Sequence, residues 1–161
     1  MARKVFFSFH FDRDIWRVGQ VRNTWLTKPD RESAGYWDKA RWEQVQRQGD
    51  DAVKSWINNS LDGTSVTVLL IGNETATRRW VTYELWKSYE RGNGMVGITI
   101  HNIKDKFGLP DTPGSAAAPV YQSGGRTYHF SELYPVYDWV LDNGYTNIGS
   151  WVEQAAKQAH R

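Results

Sequence analysis

The residue with the strongest chemical signal is Glu84. It stands in a helix-patterned stretch from about Ala76 to Arg91, where Val81, Leu85 and Ser88 or Tyr89 make a core-facing row. Trp80 and Glu84 lie four apart on the adjacent row, so a carboxylate borders the buried face. A carboxyl group among apolar and aromatic neighbours has a raised pKa, which suits acid–base work or the holding of a sugar hydroxyl. The competing reading is a surface glutamate paired with Lys87, Ser88 or Arg91, and from position alone that reading has the better claim. Around Glu84 in sequence stand other polar groups that follow apolar runs: Ser8, His10 and Asp12, then Asn73 and Thr75, then His101. His129 and His160 have no such setting. The chain has 0 Cys, which removes thiol nucleophiles, disulfides and cysteine-ligated zinc from consideration, and no metal site is expected.

These groups need elements to place them. Lys4 to Phe9 is a β-branched and aromatic run, followed by Ile15, Val18, Val21 and Trp25 at helical spacing, with Asp14 as a candidate cap. Between Thr27 and Gly49 no convincing strand is legible, and a helix over Tyr36 to Gln46 is weakly patterned. Asp50 or Asp51 then caps a helix carrying Val53, Trp56, Ile57 and Leu61. Ser65 to Ile71 is nearly continuous in apolar residues, as a strand covered on both faces must be, and Met95 to Ile100 repeats the signature. Residues 101 to 129 read as a long loop, Val136 to Val140 as a short last strand, and Asn147 as the start of a terminal amphipathic helix.

Strand–helix alternation with such strands predicts one α/β domain over residues 1–161: a central parallel sheet flanked by helices in three layers. Ligands of such folds bind beyond the carboxyl ends of the strands, where the strand order reverses. That places Phe7, Ser8, His10, Asp12, Asn73, Thr75 and His101 at one edge.

Bulk properties narrow the partners. The 161 residues carry 20 basic and 18 acidic side chains, a net charge of +2 scattered along the chain, so nucleic acid is not an expected partner. The N-terminal apolar run is too short for a signal peptide, and nothing approaches the ~20 apolar residues of a membrane helix, so a cytoplasmic protein without a membrane partner is expected. Nine Trp and 8 Tyr supply both core filling and platforms for rings.

Several segments together resemble a known family. Lys4 to His10 with Asp12, Val66 to Gly72 with Thr75, Arg78 or Arg79, Trp80-Val81-x-x-Glu84-Leu85, and Gly97-Ile98-x-Ile100-His101-x-x-Lys104-Asp105 are similar to the TIR-like domains of the ThsB type, components of the Thoeris anti-phage defence system. The resemblance runs in register from residue 3 to about 105 and more loosely to the terminal helix. It implies a flavodoxin-like, TIR-like fold and cleavage of the nicotinamide–ribose bond of NAD, with the ADP-ribose part cyclised or transferred into a signal nucleotide for a separate effector protein. Trp80 to Glu84 matches the Trp-x-x-x-Glu pattern of TIR enzymes, which makes Glu84 the catalytic residue. Phe7, Ser8, His10 and Asp12 map to the strand-end positions, and Trp80 or a nearby Phe is a candidate for stacking on a base. NAD is then substrate, no cofactor is implied, and self-assembly is a recurrent property of such domains. The chain lacks Gly-x-Gly-x-x-Gly, so pyrophosphate is not expected to bind as in a dehydrogenase. The alternative is a non-catalytic TIR-like interaction module. A nucleoside-processing transferase is a further reading, and a receiver-type phosphoacceptor is disfavoured because Gly72-Asn73-Glu74 stands where its aspartate is needed.

Overall fold

In the computed structural model, which describes residues 3–34 and 39–161, five parallel strands form the centre. In chain order the elements are β1 (Arg3–Ser8), α1 (Phe11–Leu26), β2 (Arg31–Ala34), α2 (Lys39–Arg47), α3 (Asp50–Leu61), β3 (Val66–Ile71) and a 3₁₀ turn (Thr75–Thr77). They continue as α4 (Arg79–Arg91), β4 (Gly94–Thr99), β5 (Pro119–Ser123), β6 (Arg126–His129), α5 (Phe130–Leu133), β7 (Val136–Asp138) and α6 (Gly144–Gln158). The sheet order is β2-β1-β3-β4-β7, and every pair is parallel. This is the doubly wound, flavodoxin-like order, with its reversal between β1 and β3. The three-layer α/β expectation holds.

The two faces of the sheet follow from side-chain alternation. Phe6 and Ser8 of β1 stand beside Thr67 and Leu69 of β3 in register, and this face carries α4, with Thr67 and Ser88 hydroxyls 2.7 Å apart. Ser88 also hydrogen-bonds the Glu84 carbonyl at 2.7 Å, so a serine in mid-helix is satisfied locally while it packs on the sheet. The other face carries α1 and α6, whose Val18, Val21, Ile148 and Val152 are fully buried. All six residues of β3 are buried, which is why that strand reads as continuous apolar sequence.

Three expectations need correction, and the start of one helix falls outside the described residues. A second strand does exist: β2, Arg-Glu-Ser-Ala, pairs with β1 from Arg3↔Arg31 to Phe6↔Ala34. It is a short sheet edge, polar because only one side of it is paired, and so carries no apolar signature. The weak helix begins at Lys39, and its expected start at Tyr36 lies outside the described residues. The stretch 101–129 is not all loop, because β5 and β6 form an antiparallel hairpin across Gly124-Gly125, both at positive φ. The helix bearing Glu84 is preceded by a separate 3₁₀ turn, so α4 itself starts at Arg79.

Candidate active site

The loop leaving β4 divides the carboxyl edge of the sheet in two. Arg17 of α1, buried, donates from Nε to the Ile103 carbonyl at 2.7 Å and from Nη2 to the Leu109 carbonyl at 3.0 Å. Arg13 reaches Asp111 at 3.0 Å, and the Asp111 amide donates to the His101 carbonyl at 2.8 Å. Gly114 presses against the carbonyls of Gly72 and Asn73 so closely that any Cβ there collides with both. The end of β3 is therefore strapped over. Asn73 spends its Nδ2 on the Thr112 carbonyl at 3.3 Å. Thr75 is buried, accepts the Gly72 amide at 2.8 Å and donates to Asp14 Oδ2 at 3.4 Å. Asn73 thus holds the strap, Thr75 ties the end of β3 to Asp14, and neither lines the cavity described below. His101 belongs to a third place, where its Nε2 lies 3.9 Å from Asp138 Oδ2, and Asp138 is bonded by Thr99 at 2.7 Å and Asn102 at 3.1 Å. That cluster ties β4 to β7, away from the other candidates.

Asp14 is not a cap. Helix α1 begins at Phe11 with His10 as its N-cap residue, and Asp14 sits one turn in, 1% exposed. Its carboxylate fills the space a side chain at Gly72 would need. Burial pushes its pKa up to about 6 against the pull of Arg13 and the Thr75 hydroxyl, and Oδ1 is buried without a hydrogen-bond partner.

On the β1 side of the strap the edge is open. A cavity of about 190 Å³ lies between the end of β1, the start of α1, helix α2 and the N-terminal half of α4. Phe7, Phe9 and Phe11 give it an aromatic wall, joined by Trp42 of α2 and Trp80 of α4. Phe9 and Phe11 stack with centroids 5.9 Å apart, and Phe11 meets Trp42 at 6.3 Å. His10, Asp12, Arg78 and Arg79 supply the polar lining. Glu84 closes the cavity from α4, 5% exposed, and its Oε1 accepts the Ser8 hydroxyl at 2.8 Å. The surface-glutamate reading is overturned. Desolvation pushes the Glu84 pKa up to about 8, with the Ser8 hydrogen bond pulling the other way. His10 is held below its ordinary value, first by burial and then by the Arg78 charge, and its Nδ1 is buried without a partner. Burial thus favours the uncharged form of both the imidazole and the carboxyl that line the cavity.

Of the candidate residues, Phe7, His10, Asp12, Trp80 and Glu84 line this cavity, and Ser8 reaches it through Glu84. Trp42 and Gln46 of α2 were not anticipated as lining residues. Their signal is the Trp42–Val45 spacing, a large apolar pair on a helix otherwise mostly polar, with Trp42 and Val45 both buried. Among the described residues no group of three or more His, Cys, Asp or Glu is placed to hold a metal ion.

Residues 6–105 match the family described as Thoeris protein ThsB, TIR-like domain. The chain belongs to this family. It is also 38% identical, over 191 aligned residues that cover 94% of this chain and 100% of the relative, to the Bacillus cereus (strain MSX-D12) protein named "Putative cyclic ADP-D-ribose synthase ThsB1". The β2-β1-β3-β4-β7 order and the Trp80-to-Glu84 turn of α4 are thus features of a ThsB TIR-like domain, and the cavity lies at its strand-order reversal. Among the described residues no helix is long and apolar enough to cross a membrane.

Proposed function

We propose that this chain is a NAD-processing enzyme of antiviral defence that breaks the nicotinamide–ribose bond and closes the ADP-ribose part into a cyclic signal nucleotide. The observation that carries the reading is the Glu84 carboxyl, buried at the wall of an aromatic cavity and held at 2.8 Å by Ser8. The relative named as a cyclic ADP-D-ribose synthase supports the choice of product class.

The chemistry suits these groups. When the anomeric C–N bond breaks, its electron pair leaves with the nicotinamide nitrogen, so a cationic ring departs neutral and needs no general acid. Positive charge develops on the ribose, where an adjacent carboxylate stabilises it as carboxylates do in glycoside hydrolysis. In the empty cavity Glu84 holds its proton because burial disfavours the anion. The cationic nicotinamide ring favours the anion, so binding lowers the pKa of Glu84, its proton is released to solvent, and the carboxylate stands beside the bond to be broken. The aromatic wall stacks the leaving ring and keeps water scarce. Capture of the ribosyl cation by a nucleophile of the same ADP-ribose closes a ring, whereas capture by water gives ADP-ribose.

NAD is the substrate, no further cofactor takes part, and the product acts through a separate effector protein. Activity in self-assembled form, a homo-oligomer, fits the same reading. The test is chromatography with mass detection of NAD incubated with concentrated protein, beside Glu84→Gln. Nicotinamide and a cyclic product, both lost in the variant, are expected. Absence of nicotinamide release by the unaltered protein, including with extract of phage-infected cells, would move the assignment to a non-catalytic interaction module.

A further inference from the structure

The cavity at Glu84 is too small for the whole proposed substrate. Clefts that hold drug-sized ligands run to roughly 300–1,000 Å³, and about 190 Å³ falls below that range, space for the nicotinamide end of the molecule but not for a second nucleoside and two phosphates as well. The remainder of a dinucleotide must lie elsewhere. A groove of about 500 Å³ lies along the outer face of α4, between that helix and the β5–β6 hairpin, and it shares Arg79 and Trp80 with the cavity as a common wall.

The chemistry of this groove is that of an anionic, flat ligand. Lys54 and Arg79 line it, and among the described residues no Asp or Glu does. Arg79 is paired with Asp50, but both side chains are more than half exposed, 62% and 56%, so an incoming phosphate exchanges for a weak surface partner. Trp80, Tyr83 and Trp86 recur every third residue with centroids 5.9 and 6.1 Å apart, edge to face. Trp86 is 41% exposed, and Lys87, outside the groove, covers its ring at 4.3 Å. Across the groove Gln122 and Thr127, joined at 3.2 Å, offer an amide and a hydroxyl. The hairpin that carries them is fixed in place, because Tyr121 is sandwiched between Tyr89 of α4 at 4.2 Å and Tyr128 at 4.7 Å, nearly parallel to both. Tyr121 therefore offers its edge, and Trp86, with Lys87 over one face, is the most exposed aromatic ring of the groove.

We propose that this groove is the subsite for the adenosine diphosphate half of the dinucleotide, with the base on Trp86 and the phosphates at Arg79 and Lys54. The inference rests on the NAD reading above and extends it. Because the two spaces share a wall, a dinucleotide filling both bends around Trp80 rather than lying extended, and ring closure within one ADP-ribose unit requires such a bend.

The test uses the full chain carrying Glu84→Gln, so that binding is measured without turnover, and titrates ADP and nicotinamide mononucleotide separately by calorimetry. Trp86→Ala and Lys54→Gln are each expected to weaken ADP about tenfold, the cost of one lost stacking or phosphate contact, and to leave nicotinamide mononucleotide within about twofold. In the otherwise unaltered enzyme the same changes raise KM for NAD and spare kcat. ADP affinity unchanged by both variants, or both ligands weakened alike, overturns the subsite. If the unaltered protein releases no nicotinamide from NAD, the functional reading fails instead, whatever ADP does.

Discussion

Two carboxyl groups are buried at the same edge of the sheet, and they differ in what lies beside them. Glu84 and Asp14 each bond one hydroxyl, Ser8 at 2.8 Å and Thr75 at 3.4 Å. Burial raises the pKa of both, Glu84 to about 8 and Asp14 to about 6. Asp14, however, is packed against Gly72 under a loop strapped down by Arg13 and Arg17, whereas Glu84 opens on an aromatic cavity. A raised pKa therefore does not mark a catalytic group by itself. It becomes chemistry where an adjoining space can hold the charge that discharges it, and elsewhere it is the cost of a structural wedge.

The sharpest way to break this contrast is to neutralise each carboxyl. Glu84→Gln is expected to lower nicotinamide release by ~10²–10⁴-fold, the range of a lost catalytic proton or charge contact, with circular dichroism unchanged. Asp14→Asn is expected to keep turnover within about threefold, since surface and structural changes away from the reacting atoms act mainly on stability. Assays of NAD consumption decide, and equal losses in the two variants would erase the distinction drawn here.

The wedge itself is tested at its other side. Gly72→Ala places a methyl where the Asp14 carboxylate sits, and neither can retreat because both are enclosed. Overpacking of this kind costs about 1–3 kcal/mol, read as a lowered urea midpoint. A double variant with Asp14→Ala should recover most of that loss.

How much of this was legible before the fold was known follows the same physics. β3 and β4 declare themselves because burial on both faces demands unbroken apolar sequence. β2 and the β5–β6 hairpin do not, because an edge and a two-stranded ribbon are satisfied by polar residues, and the Gly124-Gly125 pair marks the turn without marking the strands beside it. Glu84 was visible through its spacing from Trp80 and through family resemblance, but not its burial, since helical spacing gives a row and not what covers it. Asn73, Thr75 and His101 were placed with it by the edge rule alone, which cannot foresee a loop crossing the edge. Asp14, an acid at the head of a helix, looked like a cap, and only the long-range approach of Gly72 reveals it as a wedge.

Stability against pH separates the two carboxyls without any assay of activity. Each has a folded pKa above its unfolded one, so the folded state keeps a proton that the unfolded state releases. The stabilisation is complete below the unfolded value and is lost as pH rises through the folded value. For Asp14 that loss runs from about 3.8 to about 6, and for Glu84 from about 4.5 to about 8. Melting temperatures of Glu84→Gln should thus gain on those of the unaltered protein as pH rises from about 4.5 to about 8, a stability difference on the order of a few kcal/mol. Those of Asp14→Asn should change their relation to it only below about pH 6. Parallel curves for both variants would show that the two sites are equally solvated.

A smaller effect than that of Glu84→Gln is expected from Ser8→Ala, and it is the most specific to the cavity. The Ser8 hydroxyl donates to Oε1 and so favours the carboxylate form of Glu84 against the desolvation that opposes it. Its removal leaves the carboxyl in place, takes away one hydrogen bond and moves the pKa further upward. Since kcat/KM follows the ionisation of free enzyme, its rise with pH should shift to more alkaline values. At pH 7 the rate should fall about tenfold, the worth of a hydrogen bond to a charged group, and raising the pH should restore most of it. A loss that stays constant across the pH range would instead make Ser8 a structural contact, and would remove the reason for thinking that the proton on Glu84 is what the cavity controls.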